Sequence, residues 1–162
     1  MKKILIAAVL ILMGTTMMAQ EADCKKFDIA ASYSFELRPH VEENLWIYNL
    51  DCRRLIGKSF SLGIGAGFGT IAKGTTTAWY SQSVAQGYVS CLKTFDVDSR
   101  WRPNFSLRLG AHYIIDNQLI AMAHTGLGVE YKVNDHNGVL FELSSTITSK
   151  RSYVGLTMGF RF

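Results

Sequence analysis

Between Ser59 and Gly69 every second residue is serine or glycine, and between them stand Phe60, Leu62, Ile64, Ala66 and Phe68. A helix would scatter the four glycines round its circumference. A strand sends successive side chains to opposite faces and gathers all four on one. The spacing therefore predicts a strand with one bulky apolar face and one nearly bare face.

The pattern recurs along the chain. Phe27, Ile29, Ala31, Tyr33, Phe35 and Leu37 oppose Asp28, Ser32, Ser34, Glu36 and Arg38. Phe105, Leu107, Leu109, Ala111 and Tyr113 oppose Asn104, Ser106, Arg108, Gly110 and His112. Ala123, Leu127, Val129 and Tyr131 oppose His124, Gly126, Gly128, Glu130 and Lys132, and Val139, Phe141 and Leu143 oppose Leu140, Glu142 and Ser144. Last, Val154, Leu156, Met158, Phe160 and Phe162 oppose Gly155, Thr157, Gly159 and Arg161. Two segments alternate less cleanly. Residues 45–53 carry Trp46, Tyr48, Leu50 and Cys52 on one face; residues 84–97 leave the register open between Tyr88, Ser90, Leu92 and Val89, Cys91, Lys93. The reading is eight strands, at about 27–38, 44–53, 59–70, 84–97, 103–115, 119–133, 138–148 and 153–162. The run Asn134, Asp135, His136, Asn137, Gly138 has hairpin-turn chemistry. Residues 71–83, with Gly74 and three threonines, are expected to form the longest connection.

The two faces differ in a telling direction. A soluble barrel turns its apolar face inward, which would leave these glycine-rich faces in water. A membrane barrel turns large apolar residues to lipid and fills a narrow interior with small and charged groups. Most of the expected strands run 10–15 residues, against about 9–11 for a tilted transmembrane strand and a mean of about 5–6 in globular proteins. The expected fold is all-β: an eight-stranded antiparallel up-and-down transmembrane β-barrel.

The first residues read differently. Lys2 and Lys3 precede an unbroken apolar run from Ile4 to Met13, and Ala19 precedes Gln20. That order matches a secretory signal peptide, and the run is too short for a membrane helix, which needs roughly 20 residues. The expected organisation is a cleaved signal peptide at 1–19 and one barrel domain at 20–162. Without Lys2 and Lys3 the chain keeps 15 basic against 13 acidic residues. That balance lacks the basic footprint of a nucleic-acid partner. Cys24, Cys52 and Cys91 match no zinc spacing, and an odd count leaves at least one thiol outside any intrachain bridge. With the first two strands paired, Cys24 and Cys52 lie toward the same end, so a bridge between them and two idle thiols are both open readings.

The chain closes on Met158, Gly159, Phe160, Arg161 and Phe162. This resembles the terminal strand by which bacterial outer-membrane proteins are recognised for insertion, with Phe160 and Phe162 as the signal. Together with the Ser59–Gly69 run and the 134–138 turn, it makes the chain similar to small OmpA/OmpX-like or PorT-type outer-membrane barrels of the kind abundant in Bacteroidetes. The resemblance implies an outer-membrane location with both termini in the periplasm. It implies outer-membrane lipid and the barrel assembly machinery as partners, and leaves any partner of the extracellular turns unidentified.

Chemistry is confined to the inward faces. Glu36, Arg108, His112, Glu130, Lys132, Glu142 and Arg161 form the expected lumen charge network, with Arg108, Lys132 and Arg161 paired to Glu36, Glu130 and Glu142 because an unpaired buried charge is costly. Some eight-stranded outer-membrane barrels are lipid A deacylases, with a His and a Ser two residues apart on one strand. Here His112 has Gly110 and Ile114 at those positions, and His124 has Met122 and Gly126. No catalytic residue, cofactor or metal site is expected, although His112, His124 and Glu130 are the set that could converge on a metal. The expected function is a structural or surface-interaction role with a side-chain-filled lumen. A narrow channel or transport accessory is the first alternative, and a secreted soluble barrel binding a small apolar ligand the second.

Overall fold

The computed structural model describes residues 27–56, 58–74, 79–114, 118–134 and 137–162. The expected signal segment 1–19 and Cys24, and with it the Cys24–Cys52 bridge, lie outside the described residues. Eight strands follow in order: β1 (Phe27–Leu37), β2 (Glu43–Ile56), β3 (Phe60–Gly74), β4 (Trp79–Thr94), β5 (Trp101–Ile114), β6 (Gln118–Lys132), β7 (Gly138–Thr148) and β8 (Ser152–Arg161). Each pairs antiparallel with its chain neighbours, and β1 closes on β8 to make a closed barrel. Among the described residues none is helical. Closure leaves no free edge, so the ladders take up the backbone groups that an open sheet would expose.

Alternation sets which way each side chain points, and the inverted arrangement is the one observed. Ile64, Leu127 and Leu143 are 67%, 64% and 70% exposed on the outside, whereas Glu36, Asp51, Glu130 and Glu142 are buried inside. The bare face of β3 is what makes room for the interior. Gly65 lies opposite Tyr88 in register, and a Cβ on Gly65 would stand 2.7 Å from the Tyr88 hydroxyl oxygen. Gly126 makes the same concession to Glu142, whose Oε2 a Cβ there would approach to 2.6 Å. This pairing also settles β4: Tyr88, Ser90 and Leu92 point inward, and Val89, Cys91 and Lys93 outward.

Several expected boundaries are corrected, and β2 runs on to Ile56 where 53 was expected. The connection expected at 71–83 is mostly strand, because β3 and β4 stay paired out to Gly74 opposite Trp79 and leave only 75–78 between them. Thr70, Ile71 and Tyr80 suit a pleated surface, and that outweighs the turn signal of Gly74. At the other end β4 stops at Thr94 rather than Val97, where Asp96 turns the chain with a φ of 50°. β5 begins at Trp101, ahead of Pro103. Pro103 lies one residue past the last β4–β5 pair, Thr94 opposite Asn104, and its carbonyl accepts from the Phe95 amide at 2.7 Å, so the proline sits at the end of that ladder.

The interior changes character along its axis. Toward the end where β1 begins and β8 ends it is charged. Toward the other end Leu45, Ile47, Ile71, Val84 and Tyr153 form a buried apolar cluster, with Ile114 packed against it.

Candidate functional site

Register places the inward charges in tiers, since Asp28 lies opposite Arg53, Ala30 opposite Asp51 and Ser32 opposite Asn49. In the tier where β1 begins and β8 ends, Arg53 meets Asp28 at 3.1 Å and Arg161 meets Glu130 at 2.7 Å. Arg161 also reaches Asp28, and Arg102 reaches Glu130, each at 3.9 Å. In the next tier Arg108 Nη2 donates to Asp51 Oδ2 and to Ser32 Oγ, both at 3.2 Å. The Tyr88 hydroxyl donates to the same Asp51 oxygen at 3.2 Å, and the guanidinium carbon of Arg108 lies 5.3 Å from the Tyr88 ring centroid. Ser106 donates to Glu142 Oε2 at 3.0 Å, and Asn104, with its amide nitrogen turned to the carboxylate, donates to Glu142 Oε1 at 2.8 Å.

Further along the axis hydroxyls and amides become more frequent. Ser144 donates to Glu36 Oε1 at 2.8 Å, and His124 Nδ1 stands 3.3 Å from that oxygen and 2.8 Å from Thr146 Oγ1. Ser34 and Thr157 share a hydrogen bond of 2.8 Å, and Gln86 donates to Asn49. Burying an ion costs several kcal/mol, which is recovered only when geometry and added hydrogen bonds are good. Ser32, Tyr88, Asn104, Ser106 and Ser144 supply such bonds to Arg108, Asp51, Glu142 and Glu36.

Of the residues expected to form the charge network, Glu36, Arg108, His112, Glu130 and Glu142 are buried, while Arg161 and Lys132 are half-buried near the barrel end. Arg161 meets Glu130 as expected, but the pairing differs elsewhere. Arg108 takes Asp51, not a glutamate, because β2 brings that carboxylate into the same tier, while Glu36 meets His124 and Glu142 is held by Ser106 and Asn104. Asp28, Asp51, Arg53 and Arg102 complete the network and were not singled out from sequence. His112, His124 and Glu130 do not converge: His124 meets Glu36, and Glu130 meets arginines at the end where β8 finishes. Among the described residues no group of three His, Cys, Asp or Glu is placed to hold a metal ion. Cys52 and Cys91 stand on the outer face, both as free thiols.

A closed eight-stranded meander, apolar outside and ion-paired inside, has the architecture of a small transmembrane barrel and reverses that of a soluble one. Solved structures share it. The barrel is similar to Neisserial surface protein A, with a TM-score of 0.64 at 12% identity, covering 83% of this chain and 94% of that one. It is similar to the N-terminal β-barrel domain of Pseudomonas aeruginosa OprF, with a TM-score of 0.58 at 17% identity, covering 85% and 97%. A de novo designed transmembrane β-barrel follows with a TM-score of 0.52 at 13% identity, covering 88% and 98%. At such identities the likeness is one of fold. No protein-family model matches the sequence, and neither does any curated protein.

Proposed function

We propose that this chain is an integral outer-membrane barrel of OmpA/OmpX-like type, PorT-like in its closer resemblance, that acts as a membrane-embedded scaffold and not as a pore. The signal peptide at 1–19 exports it. Phe160 and Phe162 present it to the barrel assembly machinery, the termini stay in the periplasm, and lipid covers the outer face. One observation carries the reading: the outward residues at mid-strand are Ile64, Leu127 and Leu143, while the interior holds buried ion pairs such as Arg108–Asp51 and Arg161–Glu130. An interior of eight strands is just wide enough for side chains to fill it. The apolar cluster of Leu45, Ile47, Ile71, Val84 and Tyr153 favours closure over conduction.

Membrane fractionation, followed by a gel comparing boiled and unboiled samples, tests the location. Recovery in the outer-membrane fraction with a heat-dependent shift is expected, and recovery in the soluble periplasm would refute it. Planar-bilayer recording of the purified protein tests closure. No steady conductance is expected; stable channels would favour the transport reading instead.

A further inference from the structure

The end of the barrel opposite the start of β1 and the end of β8 carries the β1–β2 and β7–β8 turns, and between them lies an open cleft of about 400 Å³. It is lined by Arg38, Thr148, Ser149, Lys150, Arg151 and Ser152. The turns are tightly built. Thr148 Oγ1 accepts from the Arg151 amide at 2.9 Å, and the Thr148 amide donates to the Arg151 carbonyl at 2.7 Å. Behind the cleft Glu43 is almost wholly buried, and its two oxygens hold two cations side by side. Arg151 Nη1 lies 3.0 Å from Oε1 and Arg38 Nη1 lies 3.5 Å from Oε2. The Tyr153 hydroxyl donates to Oε1 from inside the barrel. Lys150 extends the row, its ammonium donating to the neutral amide oxygen of Gln118 at 2.6 Å.

One carboxylate thus positions two guanidiniums. Burial works against the Arg151 charge, but the Tyr153 hydroxyl and Glu43 outweigh it and hold that guanidinium above its ordinary range. Arg38 and Arg151 remain partly exposed, with donors left over on planar forks that match phosphate oxygens. The Thr148 hydroxyl is committed to the turn, donating to the Arg151 carbonyl at 3.0 Å, and the hydroxyls of Ser149 and Ser152 suit the neutral hydroxyls of a sugar. A single phosphate fills only a small part of the cleft, whose volume falls within the roughly 300–1,000 Å³ usual for small-molecule sites.

We propose that this cleft binds a phosphorylated group, with Arg38, Lys150 and Arg151 as its phosphate ligands and Glu43 as the positioning residue. Two sources share that chemistry: the phosphosugar headgroup of an outer-leaflet glycolipid, and free phosphate. The glycolipid source rests on the outer-membrane reading above, which sets this end of the barrel at the outer surface; the anion site itself does not.

The test is native mass spectrometry of the folded, detergent-solubilised protein. Three probes are titrated: a bisphosphorylated glucosamine-disaccharide lipid, the same lipid without phosphates, and inorganic phosphate. The phosphorylated lipid is expected to bind at least tenfold more tightly than its dephosphorylated form. R38Q/K150Q, which leaves Arg151, Glu43 and Tyr153 in place, is expected to weaken it at least tenfold with an unchanged heat-modifiability shift, and R38K/K150R to restore most of it. Binding of inorganic phosphate with no preference for the phosphorylated lipid would uphold the anion site and reject the lipid source. Equal binding by R38Q/K150Q, or binding of no phosphate-bearing probe, would overturn the proposal. A protein that binds the anion but fractionates as soluble would instead refute the membrane reading alone.

Discussion

Leu143 sits midway along β7, on the outer face, opposite Leu127 and Leu156 in register and 70% exposed. Replacing it with lysine separates the two environments that the outer face can have. If water bathed this face, most of the leucine would already be wet, and the loss would stay below about 1 kcal/mol. In hydrocarbon, lysine near the midplane of a transmembrane barrel costs about 2–4 kcal/mol, a factor of about 30 to 700 in the folding equilibrium. An internal control lies at the barrel end. Ile56, the last residue of β2, is exposed on the same face as Arg54, which already carries a charge there. Ile56→Lys should therefore cost about 0–1 kcal/mol, as near a membrane interface. The assay is reversible urea unfolding from lipid vesicles, followed by tryptophan fluorescence and by the gel shift of the folded form. A loss below 1 kcal/mol for Leu143→Lys, or equal losses at the two positions, would refute a lipid-covered outer face.

The interior offers two further tests in the same vesicles. Asp51 is fully buried and is the ion-pair partner of Arg108, and removing one member of such a pair leaves the other charge buried and unmatched. Asp51→Asn should cost about 3–5 kcal/mol. The double change D51L/R108L should recover much of it, and additive losses in the double-mutant cycle would sink the pairing. Gly65→Leu should cost about 1–3 kcal/mol by forcing the Tyr88 ring away from Asp51. A second-site Tyr88→Ala should relieve most of that loss, and no relief would show that the ring is not what Gly65 accommodates.

The architecture was legible because the side-chain period of a strand is two, so one face assignment carries a whole strand. In β3, glycine at every second position left no competing reading. Strand β2 was read by Trp46, Tyr48 and Leu50, which point outward. Its inward row of Glu43, Leu45, Ile47, Asn49, Asp51 and Arg53 mixes apolar, polar and charged residues and shows no uniform face. The signal for Asp51 and Arg53 was therefore present only as parity with the outward aromatics. Partners across the lumen are a different matter. Arg108 and Asp51 are 57 residues apart, and no single strand's pattern says which carboxylate shares its tier. That depends on the stagger at every intervening ladder. The β3–β4 connection was misjudged for a local reason: Gly74 signals a turn in isolation, yet it and Ile71, Ala72 and Lys73 pair with residues 79–82 once the ladder is running.

The same geometry separates what is generic in this molecule from what is particular to it. On the outside, one large apolar side chain can replace another with little consequence, because lipid has no shape to match. Inside, several bulky polar residues stand over bare positions: Tyr88 over Gly65, Gln86 and Asn49 over Gly67, Glu142 over Gly126. Such pairs are specific, since enlarging one member displaces the other and breaks the ion pair or hydrogen bond that it holds. The tiers of charge give way to the apolar cluster around Val84, and past that cluster the chain reaches Glu43 and the two turns it braces. Glu43 makes ion pairs with Arg38 and Arg151, and its bond to Tyr153 ties those turns to the packed interior. The packed interior is thereby tied to the end of the barrel that carries the cation-lined cleft. If that cleft holds an anion as proposed, Glu43 links its arginines to the same side-chain packing that closes the lumen, so a change at either place is felt at the other.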